Sequence, residues 1–329
     1  VRDSSYYTPG EQPSSGDVLK LNTNEHAICA SSLVMSELSK ITADQLRRYP
    51  DPYSSELRQT IAQNETLSIE QVYVGNGSDD VLAHAWQAFL ANKWVIAPDI
   101  TYGFYPVWAD RYESQFTTIA LRPSFEIDLC AFKENQGAVV LANPNAPTGI
   151  ALSVPELESI IAINQDRFIL IDEAYYGFGA SSASSLIGKY DNLLIVRSLS
   201  KSHALAGLRV GYALGHPELI SGLNLIKDSV NAYPLDVIAQ NVARAALRDS
   251  VWYAHASSEI MTSRSKLSAG LLEMEFRVLP SKANFVFVEH ARLSGRVIFR
   301  ALRDANILVR RWDIPRIENW LRISIGTSK

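Results

Sequence analysis

The sequence predicts an α/β protein, a parallel sheet with helical crossovers followed by a smaller α+β unit. Three observations lead there. Up to about Gly215, strand-like and helix-like segments alternate, as βαβ units do. Two of the strand-like runs, Arg167-Phe168-Ile169-Leu170-Ile171 and Leu193-Leu194-Ile195-Val196, are continuous apolar strands, which suits strands covered on both faces. After Gly215 the texture changes to long helices and then short strands.

Each element has its own signal. Glu70-Gln71-Val72-Tyr73-Val74 is β-rich and is stopped by Gly75-Asn76-Gly77, and Asp79 to Leu90 reads as a helix. Trp94-Val95-Ile96-Ala97 is a strand stopped by Pro98-Asp99, and Gly137-Ala138-Val139-Val140-Leu141-Ala142 is one stopped by Asn143-Pro144. Pro155 to Asn164 has helical spacing, as do Glu218 to Ala232 and most of Val237 to Leu272. Asn284-Phe285-Val286-Phe287-Val288, a helix around Ser294 to Asp304, Ile307-Leu308-Val309 and Leu321-Arg322-Ile323-Ser324-Ile325 complete the small unit. The chain shows no internal repeat, low-complexity tract or long linker.

With 329 residues the chain holds two domains, or one large and one small. Hydrophobic residues at 47% and charged residues at 20% exclude a disordered chain, a collagen and a coiled-coil rod. The net charge is −4, with no basic patch, so nucleic acid is not an expected partner. An anionic substrate must then be caught by a few placed cations. Cys29 and Cys130 have no metal spacing, so no metal is expected and both read as buried, reduced thiols of a cytoplasmic protein. No apolar run reaches the roughly 20 residues of a membrane helix, and Val1-Arg2-Asp3 lacks the apolar stretch of a signal peptide. A start at Val1 and an end at Lys329, directly after a strand-like run, lead to the expectation that leading residues and a final helix are missing.

In sheets of this type ligands bind beyond the carboxyl ends of the strands, and unusual residues gather at the predicted strand ends. Gly75-Asn76-Gly77-Ser78-Asp79 joins a strand to a helix whose free N–H groups suit an anion, though such a sequence also serves as a plain turn. Asp172 ends a buried strand and, taken alone, reads as the N-cap of the next element. Lys201 comes after another strand, where low-dielectric walls could lower its pKa enough to make it a nucleophile; the alternative is a surface lysine. Arg209 lies just beyond, and a surface ion pair is its alternative. Taken together, Asp172, Tyr175, Ser198, Ser200, Lys201 and Arg209 occur in an order that one cofactor explains. Pyridoxal phosphate needs a lysine for its Schiff base, a carboxylate against the pyridine nitrogen, phosphate donors and an aromatic face.

At this point the chain resembles the fold-type I pyridoxal-phosphate aminotransferases and is most similar to the histidinol-phosphate aminotransferases. Matching segments run nearly end to end. They include Tyr7-Thr8-Pro9-Gly10-Glu11-Gln12-Pro13, Leu21-Asn22-Thr23-Asn24-Glu25, Arg48-Tyr49-Pro50-Asp51, Gly75-Asn76-Gly77-Ser78-Asp79 and Thr101-Tyr102-Gly103-Phe104-Tyr105. Pro144-Asn145-Ala146-Pro147-Thr148-Gly149 is another, and the strongest are Asp172-Glu173-Ala174-Tyr175 and Ser198-Leu199-Ser200-Lys201 running to Ala206-Gly207-Leu208-Arg209-Val210-Gly211. Ile307-Leu308-Val309-Arg310 and Leu321-Arg322-Ile323-Ser324-Ile325-Gly326-Thr327 close the set.

The resemblance implies a three-layer, mostly parallel sheet sandwiched by helices, an aspartate-aminotransferase-like large domain, with a smaller α+β domain. It divides the chain into an N-terminal arm and part of the small domain over 1–26, the large cofactor-binding domain over 27–235 and the small C-terminal domain over 236–329. It makes Lys201 the lysine bonded to the cofactor and the base that moves the proton at the substrate. It pairs Asp172 with the pyridinium nitrogen, Tyr175 with the ring oxygen and Tyr102 with the ring face. It gives the phosphate to Ser198, Ser200 and Arg209 with the N–H groups of Gly77, Ser78 and Asp79, and adds Asn145 to the cofactor site. Tyr49 is implied to reach the partner's phosphate in a homodimer. Tyr7, Asn24, Arg310 and Arg322 are implied at the substrate, with Arg322 clamping the α-carboxylate of the amino-acid partner and Arg310 or Tyr7 the distal phosphate.

The chain departs from the family at Ala146, where an asparagine is usual, at His26-Ala27 in place of Asn-Pro, at Asp80 in place of Glu, and in its short length. The leading reading moves an amino group between L-histidinol phosphate, with imidazole-acetol phosphate, and glutamate, with 2-oxoglutarate as the 2-oxo acid acceptor. An aromatic amino-acid aminotransferase, a threonine-phosphate-decarboxylase-like enzyme and a dead homologue are the alternatives.

Overall fold

The computed structural model describes residues 6–13, 17–163 and 165–327. The readings placed on Val1-Arg2-Asp3, Asn164 and Lys329 lie outside the described residues. Cys29 and Cys130, read as buried, are both exposed. Thirteen strands form three sheets among the described residues. In chain order they are β1 (Leu19–Lys20), β2 (Val72–Asn76), β3 (Trp94–Pro98), β4 (Gln115–Ile119), β5 (Ala138–Ala142), β6 (Ile169–Asp172) and β7 (Leu193–Ser198). Then come β8 (Val210–Gly215), β9 (Phe276–Val278), β10 (Phe285–His290), β11 (Ile307–Leu308), β12 (Arg310–Arg311) and β13 (Trp320–Ser324).

The large sheet has the order β2-β8-β7-β6-β5-β3-β4. Its pairs are parallel from β7 to β4, whereas β8 is antiparallel to both of its neighbours. The mostly parallel α/β class read from the sequence is therefore the observed one. Alternation within the strands explains the continuous apolar runs. Ile96, Val139, Leu141, Ile169, Ile171, Leu193 and Ile195 enter one core. Val95, Val140, Leu170, Leu194 and Val196 enter the core on the opposite side. Both faces are covered, so polar residues are excluded along the middle of these strands. Each such side chain is worth about 1.5–3 kcal/mol of burial.

Two strands carry no clear sequence signal. β4 lies at the sheet edge with Gln115, Thr117 and Thr118 exposed, so its polar residues mask it. β8 contains Gly211 and Gly215. A Cβ on Gly211 would collide with the backbone of Gly77 and Ser78, so close packing of the β2 turn requires that glycine.

The expected helix over Asp79 to Leu90 is an α-helix, Ser78–Ala85, that runs on into a π-helical turn at Trp86–Leu90. The helix placed at Pro155 spans Val154–Ile161, opened by a Ser153–Glu156 capping box. The long helical stretch is two helices, Val237–Arg248 and Ser250–Glu273, separated by Asp249, whose side chain caps the second. Val237–Arg248 packs on helices Ser32–Leu38 and Ser55–Glu65, so its core is continuous with that of the large sheet.

The small sheet, β12-β13-β10-β9, is antiparallel. The run Ile307-Leu308-Val309 does not join it: β11 pairs in parallel with β1 instead, tying the N-terminal segment to the small unit. Phe125 meets Trp320 of β13 edge-on at 5.0 Å, which closes the small unit onto the large one.

Candidate active site

Topology gathers the site. Ala142, Asp172 and Val196 are in register across β5, β6 and β7, so the residues that come after them leave the sheet along one edge. Because β8 is antiparallel, Asn76 at the end of β2 faces Val210 at the start of β8. Arg209 and the Gly77-Ser78 turn are thereby brought to that same edge. A cavity of about 460 Å³ opens there. Of the residues singled out in the sequence, Tyr7, Ser78, Asp79, Tyr102, Asp172, Tyr175, Ser198, Ser200, Lys201, Arg209, Arg310 and Arg322 line it.

Lys201 lies in the short helix Leu199–Ser202, which Ser198 caps by accepting from the Ser200 N–H at 3.1 Å. Its Nζ donates to the Thr23 carbonyl at 2.7 Å. Burial, with the Arg322 charge nearby, pulls its pKa down to about 8. A neutral amine is thus available near physiological pH.

Asp172 is 4% exposed at the end of β6. Tyr105 donates to its Oδ2 at 2.8 Å and the Ala174 N–H to its Oδ1 at 3.0 Å. Burial pushes its pKa up to about 6, against those two hydrogen bonds. A cationic ring nitrogen placed against it would restore the charged form. The Tyr175 hydroxyl accepts from Asn24 Nδ2 at 2.9 Å, and burial raises its pKa. Asn24 holds a left-handed φ of 56° and is pinned by Ser324 and Asn284. It does not line the cavity; it acts on it through Tyr175.

The other corner suits an anion. Gly77 has φ +84°, and a Cβ there would run into the Arg209 guanidinium. Among the described residues Arg209 makes only long contacts, to Ser200 Oγ and Asp79 Oδ2 at 3.4 Å and to the Ala206 carbonyl at 3.5 Å. These are weak hydrogen bonds, so most of its donor capacity is free for an anion beside the first turn of helix Ser78–Ala85. The Asp79 carboxylate accepts from the Tyr102 hydroxyl at 2.9 Å.

Arg322 donates to the Asn22 carbonyl at 2.9 Å, while its buried Nε has no partner among the described residues. Arg310 donates to the carbonyls of Thr8 and Pro9 at 3.0 and 3.3 Å. The Trp312 ring lies 5.3 Å from the Arg322 guanidinium carbon and 5.7 Å from that of Arg310. Neither arginine is in an ion pair among the described residues. Tyr7 stacks on Phe104 at 4.8 Å and lies 5.9 Å from Tyr102.

Three of the expected cofactor residues, Gly77, Asn145 and Tyr49, do not line this cavity. Asn145 does not line the cavity: its amide donates to the Ile100 carbonyl at 2.9 Å and accepts from Thr101 at 2.8 Å. Tyr49 is 81% exposed and stacks on Tyr233 at 4.5 Å, away from the cavity of its own chain. Asn143 is bound to the Leu152 backbone, while Ala146 lines the cavity itself. Sequence reading passed over Tyr105, the Thr23 carbonyl and Trp312. The first two act through contacts 67 and 178 residues distant in the chain, for which one sequence carries no signal.

The donor set of the described residues fits pyridoxal phosphate: a half-buried amine, a buried carboxylate with no cation paired to it, a tyrosine ring at the wall, and an under-used arginine beside a glycine cradle. Among the described residues no cluster of His, Cys, Asp and Glu could hold a metal ion, and no helix is long and apolar enough to cross a membrane.

Residues 16–329 match the model of the family described as aminotransferase class I and II. The chain is 49% identical to histidinol-phosphate aminotransferase 2 of Gluconobacter oxydans, over 99% of this chain and 92% of that protein. It is 44% identical to the histidinol-phosphate aminotransferase of Acinetobacter baumannii, over 100% and 92%. The fold is shared with the crystal structure of histidinol-phosphate aminotransferase from Sinorhizobium meliloti in complex with pyridoxal 5′-phosphate. The TM-score is 0.85 at 23% identity, with 94% of this chain and 87% of that one covered.

Proposed function

The chain belongs to the class I and II aminotransferases, and from that premise we propose that it is a histidinol-phosphate aminotransferase of histidine biosynthesis. It is a pyridoxal-phosphate-dependent enzyme. In this reading it moves the amino group between L-histidinol phosphate and 2-oxoglutarate, yielding imidazole-acetol phosphate and glutamate. The observation that carries the reading is the arginine corner. Two guanidiniums without a carboxylate partner among the described residues stand at one end of the cavity. The full-length relatives, both named for this activity, support the choice of substrate.

The residues divide the work. Pyridoxal phosphate, bound through Lys201, supplies an electron sink for the substrate Cα and carries the amino group between half-reactions. Lys201, whose lowered pKa brings its neutral amine within reach, holds and moves the proton at Cα. Asp172 offers its charge to the ring nitrogen, Tyr175 a hydroxyl to the ring oxygen, and Tyr102 its ring face. Arg209, Ser200 and the Ser78 turn hold the cofactor phosphate. Arg322 takes the carboxylate of glutamate, and Arg310 with Tyr7 takes the distal phosphate of histidinol phosphate. Tyr49 extends into the site of a second copy in a homodimer; its exposed stack with Tyr233 suits a covered surface better than a wet one. The proposed location is the cytoplasm.

Steady-state kinetics test the substrate. The kcat/KM for L-histidinol phosphate is expected to exceed those for L-phenylalanine and L-tyrosine. A higher value for either aromatic amino acid, or release of CO2 from threonine phosphate, overturns the reading.

A further inference from the structure

Beneath Asp172 stands a phenol that the assigned roles leave unused. Tyr105 begins the helix Tyr105–Arg111 and is fully buried. Its ring lies against Trp86 at 5.7 Å and Trp108 at 6.3 Å, and Tyr102 meets it edge-on at 5.6 Å. A hydroxyl in such a cage must find an acceptor. Among the described residues its partner is Asp172 Oδ2, at 2.8 Å.

The carboxylate needs that donor. Asp172 is buried at the strand end, and the charged neighbours that act on it most, Asp79 of helix Ser78–Ala85 and Glu173, are acidic and disfavour its charge. Glu173 is itself taken up by Arg197 at 2.9 Å, so that arginine is spent one residue away. Among the described residues two donors are left to hold the anion, the Ala174 N–H on Oδ1 and the Tyr105 hydroxyl on Oδ2. A hydrogen bond to the charged form of a buried acid favours that form.

We infer that Tyr105 is a positioning residue for the cofactor: its hydroxyl fixes the plane of the Asp172 carboxylate and keeps it ionised for the ring nitrogen, while its ring supports Tyr102. The inference rests on the proposed pairing of Asp172 with that nitrogen. Tyr105→Phe keeps the ring in its cage and removes only the donor.

The test compares two ligands on the full chain stripped of cofactor. One is pyridoxal phosphate; the other is its deaza analogue, with a C–H in place of the ring nitrogen. Dissociation constants are measured for the wild type, Tyr105→Phe, Asp172→Asn and the double variant. Tyr105→Phe is expected to weaken pyridoxal phosphate about tenfold, the scale of a hydrogen bond to a charged group. It is expected to leave the deaza analogue within about twofold and to add nothing in the Asp172→Asn background. Equal weakening of both ligands, or a full effect that persists in the Asp172→Asn background, would mean a merely structural tyrosine and overturn the inference. If Asp172→Asn weakens both ligands equally, or neither, the pairing of Asp172 with the nitrogen is wrong and the inference falls with it. Thermal unfolding of stripped Tyr105→Phe, expected to match the wild type within a few degrees, separates a binding effect from loss of fold.

Discussion

Lys201 donates from Nζ to the backbone carbonyl of Thr23 at 2.7 Å. The next residue, Asn24, donates to the Tyr175 hydroxyl at 2.9 Å. One N-terminal segment therefore reaches two side chains of the site, and it is fastened to the small unit through Ser324 and Asn284. The Lys201 amine and the small unit are coupled through a short stretch of backbone.

Replacing Lys201 tests the amine. Lys201→Met is expected to lower transamination at least 10³-fold, since it removes both the covalent anchor and the proton carrier. The stripped chain carries a separate signature. The folded pKa of about 8 lies below the ordinary 10.5, so the unfolded state binds more protons between those values. Stability attributable to Lys201 is present above 10.5 and is lost as pH falls through 8. Thermal midpoints of the stripped wild type should rise with pH across that window relative to Lys201→Met. Parallel curves would contradict the burial of the charge.

Asp172 has the opposite sign. Its folded pKa of about 6 lies above the ordinary 3.8, so the folded state binds the extra proton. Its contribution in the stripped chain is complete below 3.8 and is lost as pH rises through 6. Asp172→Asn should flatten that part of the stability profile and lower turnover about 10²–10³-fold, the scale of a lost electrostatic group at a reacting centre. Unchanged turnover would remove Asp172 from the site.

Arg310 and Arg322 should separate by substrate. Arg310→Ala is expected to raise KM for L-histidinol phosphate about tenfold or more and to affect unphosphorylated L-histidinol little. Arg322→Ala should weaken glutamate most, by about 10²-fold, because a paired carboxylate contact is lost. Equal loss for phosphorylated and unphosphorylated amines with Arg310→Ala would reject the phosphate assignment.

Tyr49 gives a test of shared sites. A mixed dimer of Lys201→Ala and Tyr49→Ala subunits contains one site with both residues if Tyr49 acts across the interface. Activity should then rise above that of either homodimer. No gain on mixing would place Tyr49 outside the partner's site, and a monomer in solution would reject the dimer.

The parts of this molecule legible in the sequence are those set by local rules. Continuous apolar runs gave β5, β6 and β7 because both sheet faces are covered, and the residues that end them, Asp172 and Ser198, fell at the ligand edge for topological reasons. The rest depends on contacts across the chain. β4 has one edge free and reads as polar. β8 is interrupted by the glycine that packing against Gly77 demands. Asn145 sits in the right motif, yet Ile100 and Thr101 turn its amide away from the cavity. Tyr105 looks like any aromatic residue of a buried helix, and only the fold brings its hydroxyl to Asp172.

The most direct measurement is an absorbance titration of the cofactor-loaded enzyme with L-histidinol phosphate and no 2-oxo acid. The visible band of the bound cofactor should disappear with one equivalent per site as imidazole-acetol phosphate forms, and 2-oxoglutarate should restore it. A band that ignores L-histidinol phosphate while responding to glutamate would contradict the substrate assignment and leave an aminotransferase for another amine.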